Sequence, residues 1–177
     1  MTQPRILIAG IGNIFLGDDA FGVEVAQRLA RCRLPEEVRV VDFGIRGLDL
    51  AYALLDGYEI VILVDAIPRG GTAGSLYVLE PDFGDNAGPS GAGTLLDMHR
   101  LDPVKVLRLA AEMGAKVERL LLVGCEPEMT GDAEEMRDGL SDAVRLAVDR
   151  AIPLIESLAA RLLRGERFET KENAIFS

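Results

Sequence analysis

The chain has one histidine, His99, and two cysteines, Cys32 and Cys125, in 177 residues. With His99 committed to any other task, neither a Ser-His-Asp nor a Cys-His set can be assembled. The cysteines form neither a CxxC pair nor a disulfide framework, so a zinc finger and covalent staples are excluded and stability must come from packing. Positive charge is also scarce: 19 Lys and Arg against 29 Asp and Glu leave a formal net charge of -10. That balance excludes nucleic acid as an expected partner, because phosphate binding relies on Lys and Arg. The opening MTQPRILIAG lacks the basic start, apolar core and cleavage site of a secretory signal, and no apolar run is long enough to cross a bilayer. The expectation is a cytoplasmic protein with no membrane partner.

What is present is ample apolar material, 49% of the residues, enough for one core. The reading is a single α/β domain over residues 1–164 and a flexible tail over 165–177. Runs rich in Ile, Val and Leu recur at Ile6–Ala9, Val38–Val41, Ile60–Val64, Leu76–Leu79 and Leu120–Val123. Most do not alternate polar with apolar, which suits strands covered on both faces. Between them, Val25, Leu29 and Cys32 share one helical face, as do Leu50, Leu54 and Leu55, with Gly57 placed to stop that helix. Asp102 followed by Pro103 opens a further helix whose face continues through Val104, Leu107 and Ala111. From Ser141 to about Leu163 the pattern is helical, with Pro153 expected to kink or divide it. The Gly- and Pro-dominated Gly84–Gly93 reads as a mobile loop. Strand and helix alternate, which predicts an α/β fold of three layers: a twisted, mostly parallel sheet flanked by helices on both faces. The run at Leu76 fits an antiparallel or edge strand.

In such a sheet ligands bind beyond the carboxyl ends of the strands, and the residues found there are mostly acidic. GIGNIFLGDDAFG, with Asp18 and Asp19, follows the first run; Asp42 follows the second and Asp65 the third. His99 lies behind the fourth, and Gly124, Cys125, Glu126 and Pro127 follow the fifth. Topology thus brings Asp19, Asp65 and His99 to one rim. Two carboxylates and an imidazole suit a first-row divalent metal and leave positions open for water or substrate. Each residue also has a plainer explanation. Asp19 can cap a helix beginning near Ala20, Asp65 can shape a strand-end turn, and His99 can be a surface side chain. Cys125 reads as a small buried residue, and Glu126 and Glu128 as solvated or loop-capping.

Gly10-x-Gly12 followed by Asp42 also invites a nucleotide-binding reading. The third glycine position of that fingerprint is Phe15, however, and Asp18 and Asp19 would repel phosphate at the helix start.

Taken in order, GIGNIFLGDDAFGV, LVDAI, MHRLD around His99 and LLLVGCEPE resemble the hydrogenase maturation proteases, and the resemblance runs from Ile6 into the long C-terminal helix. It implies a metal-dependent endopeptidase, of an aspartic-type family, that removes a C-terminal extension from the nickel-loaded large-subunit precursor of a nickel-iron hydrogenase. It places the metal and catalytic positions on Asp19, Asp65 and His99, and implies nickel, supplied by the precursor, as cofactor; another divalent ion can occupy the site in vitro. Many members carry Asp-Gly-Gly-Thr after the second strand, where this chain has Asp42-Phe43-Gly44-Ile45-Arg46-Gly47. The resemblance therefore makes Phe43, Gly44, Ile45 and Arg46 substrate-facing. A monomer is expected. The competing reading is a nickel-binding or nucleotide-binding accessory protein with no catalytic step.

Overall fold

A computed structural model describes residues 3–81, 103–128 and 138–166 and the backbone of 174–176. Gly84–Gly93, His99 and Asp102 lie outside the described residues. The elements in chain order are β1 (Ile6–Ile11), a short 3-10 turn (Gly17–Ala20), α1 (Phe21–Leu29), β2 (Val38–Gly44) and α2 (Gly47–Ala53). There follow β3 (Ile60–Ala66), β4 (Leu76–Leu79), α3 (Pro103–Glu112), β5 (Arg119–Cys125), α4 (Asp142–Leu163) and β6 (Ala174–Phe176). The sheet runs β2-β1-β3-β5-β4-β6. The β1–β2, β1–β3 and β3–β5 pairs are parallel, whereas β4 runs antiparallel to both β5 and β6. The three-layer, mostly parallel α/β fold expected from the apolar runs is the fold observed.

Alternate residues of each inner strand enter opposite layers, as the period of two requires. Ile6, Ile8, Ile62, Val64, Leu121 and Val123 pack with α1 and with Val144, Val148, Ala151 and Ile155 of α4. Leu7, Ala9, Val61, Leu63 and Leu120 pack instead with Leu50 of α2, with Leu54 just beyond it, and with Val106 and Ala110 of α3. Because both faces are filled, apolar residues run consecutively through the middle of β1, β3 and β5 and no alternation shows there in the sequence.

Several local expectations need correction. Pro153 does not divide α4, which runs unbroken from Asp142 to Leu163. The proline forgoes one backbone hydrogen bond, and burial of Val148, Ala151, Ile155 and Leu158 on either side of it outweighs that loss. The core face of α3 is Val106 and Ala110, with Val104 and Ala111 turned to solvent, so the buried stripe is offset from the expected one. Leu55 is exposed, whereas Gly57 stops the α2 segment as expected, in the left-handed conformation. Strand β6, in the segment read as tail, adds to β4, which is therefore antiparallel but not an edge.

The position of α1 is set by two glycines. A Cβ on Gly10 of β1 would collide with the Gly22 carbonyl oxygen and the Ala26 side chain, and one on Gly22 would collide with the Ile11 and Val64 carbonyl oxygens. The helix therefore starts in backbone contact with the ends of β1 and β3. Gly22→Ala is expected to destabilise the fold by about 1–3 kcal/mol, the usual cost of forcing an extra carbon into a packed interior. Chemical denaturation of the two proteins measures it; an unchanged midpoint would mean that α1 can move away without penalty.

Candidate functional site

β1 sends the chain to β2 on one side, and β3 returns on the other, so the strand order reverses beside β1. That reversal opens a crevice beyond the carboxyl ends, and the glycine contacts of α1 hold the 3-10 turn over it. Asp19 sits in this turn and Asp65 near the end of β3, against which the turn packs.

Asp19 does not cap α1, whose N-cap is Ala20 with no side-chain hydrogen bond. Its Oδ2 instead accepts the Asn13 amide at 2.8 Å, and Asn13 Oδ1 accepts the Phe15 amide at 3.0 Å. Gly12 adopts a φ of 141°, and a Cβ there would collide with the Asp19 carbonyl oxygen. The Gly12 amide donates to the Gly44 carbonyl at 3.0 Å, tying this loop to the end of β2.

Asp65 is partly buried, and its Oδ1 accepts the following amide, that of Ala66, at 2.8 Å. Burial, then the negative charge of Asp19, push its carboxyl well above the ordinary aspartate range; the Ala66 hydrogen bond opposes them only in part. Two carboxylates close enough to raise a pKa, one of them poorly solvated, form a site that gains from a cation. The donor set fits a divalent first-row metal as far as it goes. Among the described residues no group of three or more His, Cys, Asp or Glu side chains is placed to hold an ion, and His99 lies outside them.

The remaining candidates sort differently. Phe43 is 4% exposed and packs in the core beneath α2, so it is not substrate-facing: residues alternate along β2, and Phe43 takes the inward position. Ile45 and Arg46 are exposed and Gly44 is partly so. The Arg46 guanidinium is folded back onto the Phe43 and Asp42 carbonyls, with Asp49 at 3.5 Å. The Asp42 carboxylate accepts from Gln27 of α1 at 3.0 Å. Cys125 is buried, and burial, followed by the charge of Asp18, pushes its thiol up to about 12, so it is no thiolate nucleophile.

Sequence reasoning missed the roles of two acids. Asp18 accepts the Glu128 amide at 2.8 Å, the Ser141 amide at 2.7 Å and the Ser141 hydroxyl at 2.9 Å, and so fastens the 3-10 turn to both the exit from β5 and the N-cap of α4. The Asp18-Asp19 pair shows that an acid belongs there, but only the fold separates the two side chains. Glu126 is fully buried, and its carboxylate accepts the Arg69 amide at 2.9 Å, the Gly70 amide at 3.0 Å and the Tyr77 hydroxyl at 2.7 Å. Burial alone would raise its pKa, but the Tyr77 hydroxyl and the Arg69, Gly71 and Gly70 amides together hold it below the usual glutamate value. It is loop-capping, not solvated. Its one visible signal is an acid that ends an apolar strand.

The model of the hydrogenase maturation protease family matches residues 23–158, a span that includes Asp65 and begins just after Asp19. The chain is 34% identical to the hydrogenase expression/formation protein HoxM of Azotobacter vinelandii, over 91% of this chain and 75% of that one. It is 33% identical to HupD of Rhodobacter capsulatus, over 98% and 78%. Among solved structures, the hydrogenase maturating endopeptidase HybD from E. coli superposes with a TM-score of 0.69 at 28% identity, covering 91% of this chain and 94% of that chain. A hydrogenase 2 maturation peptidase from a Thaumarchaeota archaeon gives 0.65 at 28% identity, over 88% and 98%. A family match across most of the length, on the same fold and with an acidic crevice at the strand reversal, leads to one conclusion: the chain belongs to the hydrogenase maturation protease family and is an endopeptidase of that family.

Proposed function

We propose that this endopeptidase cuts a C-terminal extension from the nickel-loaded large-subunit precursor of a nickel-iron hydrogenase, acting in the cytoplasm as a monomer. The observation that supports the metal part of this reading is Asp65, a carboxylate whose ionisation burial and Asp19 disfavour and a bound cation would favour. Asp19 and Asp65 supply oxygen donors, and His99, assigned by the family resemblance, supplies the imidazole. A bound nickel ion would contribute Lewis acidity toward a peptide carbonyl or a water molecule. The chain's own residues position it: Asn13 and Gly12 fix Asp19 through backbone contacts, and the Ala66 amide orients Asp65. Three protein donors leave room for groups from the precursor, so loaded precursor is preferred over empty precursor by the affinity of this half-site for its metal. Within the described residues no helix is long and apolar enough to cross a membrane.

Incubating the purified protein with nickel-loaded and nickel-free precursor, followed by mass measurement, tests the reading. Only the loaded form is expected to shorten. Binding of nickel-loaded precursor without shortening would favour the accessory-protein reading instead.

Asp65→Asn keeps the shape and the Ala66 hydrogen bond but removes the charge. Nickel affinity, measured by calorimetry, is expected to fall by roughly 100-fold. Without metal the substitution is expected to stabilise the fold. Because the folded-state pKa of Asp65 is raised, wild-type stability from this group is fully present at the acid end, below the ordinary aspartate pKa, and is lost as pH rises through the folded value. The metal-free Asn variant should therefore be the more stable protein at neutral pH, with the gap closing as pH falls into the ordinary aspartate range. A gap that is constant from neutral to acid pH would remove the charge conflict from the site.

Asp19→Asn and His99→Ala are expected to unfold within a few degrees of wild type yet to leave nickel-loaded precursor intact. Thermal unfolding and the processing assay run side by side decide this. Full processing by either variant would take that residue out of the metal-binding set.

A further inference from the structure

We propose that the apolar side chains Ile14, Phe15, Ile45, Leu48 and Tyr52 form the surface on which the body of the precursor docks, beside the carboxylate pair. The proposal rests on the processing activity inferred above. All five are large and exposed, at 55%, 58%, 53%, 45% and 55% respectively. Leu48 and Tyr52 stand one helical turn apart on α2 and share a face, with Ile45 just before the helix. Ile14 and Phe15 lie in the loop that follows β1. The backbone joins these two groups: the Gly12 amide donates to the Gly44 carbonyl at 3.0 Å, and Gly12 is packed against the Asp19 carbonyl. Apolar residues thus stand on both of the segments that this hydrogen bond joins, one of which carries the glycine packed against Asp19.

Single exposed apolar residues carry no message, but a group of them at the edge of a catalytic crevice marks an interaction surface. The occupant is the precursor itself and not a short peptide alone, because the surface takes in two separate segments, the loop after β1 and the exposed face of α2. Its matching face is apolar, since the side chains offered have no charge to pair; the Arg46 guanidinium between them is already engaged by backbone carbonyls. Interfaces of this kind concentrate binding in a few apolar and aromatic side chains.

The test uses the full chain in the catalytically silent Asp65→Asn background, titrated with the large-subunit precursor in both nickel-loaded and nickel-free forms. Leu48→Lys with Tyr52→Lys, and separately Phe15→Ser, are expected to weaken binding of both forms at least tenfold, with nickel affinity and melting temperature unchanged. In the otherwise wild-type enzyme, the same changes should raise KM for the loaded precursor and leave kcat alone. Leu146→Lys, which alters an equally exposed residue of α4 on the other side of the sheet, should change nothing. Precursor binding that survives both sets of changes overturns the docking surface and leaves the processing activity standing. Failure of the parent protein to bind or cut either precursor overturns both. A homodimer in sedimentation that the Leu48→Lys, Tyr52→Lys variant dissolves assigns the surface to a second copy and overturns the proposal.

Discussion

The contact between α1 and the ends of β1 and β3 is the constraint on which the site depends. Gly10 and Gly22 bring backbone against backbone, closer than any side chain would allow, and the first turn before the helix is thereby lowered onto the mouth of β3. Without that approach Asp19 and Asp65 would be two unrelated strand-end acids. With it, the charge of Asp19 bears on Asp65, and the fold holds that carboxyl at an electrostatic cost that hydrophobic burial in the two layers offsets.

A second layer of restraints keeps the rim in shape. Asp18 joins the turn to Glu128 and Ser141, Gly12 joins it to Gly44, and Glu126 gathers the amides that follow β3. All three attach a loop to something distant in sequence. The crevice is therefore assembled from connections that no local propensity specifies, which is typical of functional loops on a rigid α/β scaffold.

Much of the architecture was legible because it follows from burial. Continuous apolar runs betray strands covered on both sides, and the resulting strand order puts Asp19 and Asp65 at one end. What was illegible is whatever depends on a choice between near-equivalent options. Pro153 looks like a break until the burial along α4 is known, and the stripe on α3 slides by a residue because Val104 and Val106 offer similar apolar faces. Phe43 beside Gly44 looks available until β2 is placed and its alternation sends the ring inward. Asp18 and Asp19 are identical in type and adjacent, and only the third dimension gives one to Ser141 and the other to Asn13. The strand order alone brings Asp19 and Asp65 to one rim, and the fold sets them near enough for the charge of Asp19 to act on Asp65.

The buried Glu126 bears on how an acidic rim stays selective. A crowd of carboxylates facing one crevice would ordinarily scatter a cation among several weak positions. Here the charges have been sorted: Glu126 spends its negative charge on three amides and a phenol, Asp18 on a serine and two amides, and Asp42 on Gln27. Asp65 differs in sign, since its environment works against its ionisation where that of Glu126 works for it. With the neighbouring acids held by internal dipoles, Asp65 is left, among these described carboxylates, as the one whose charge its surroundings oppose.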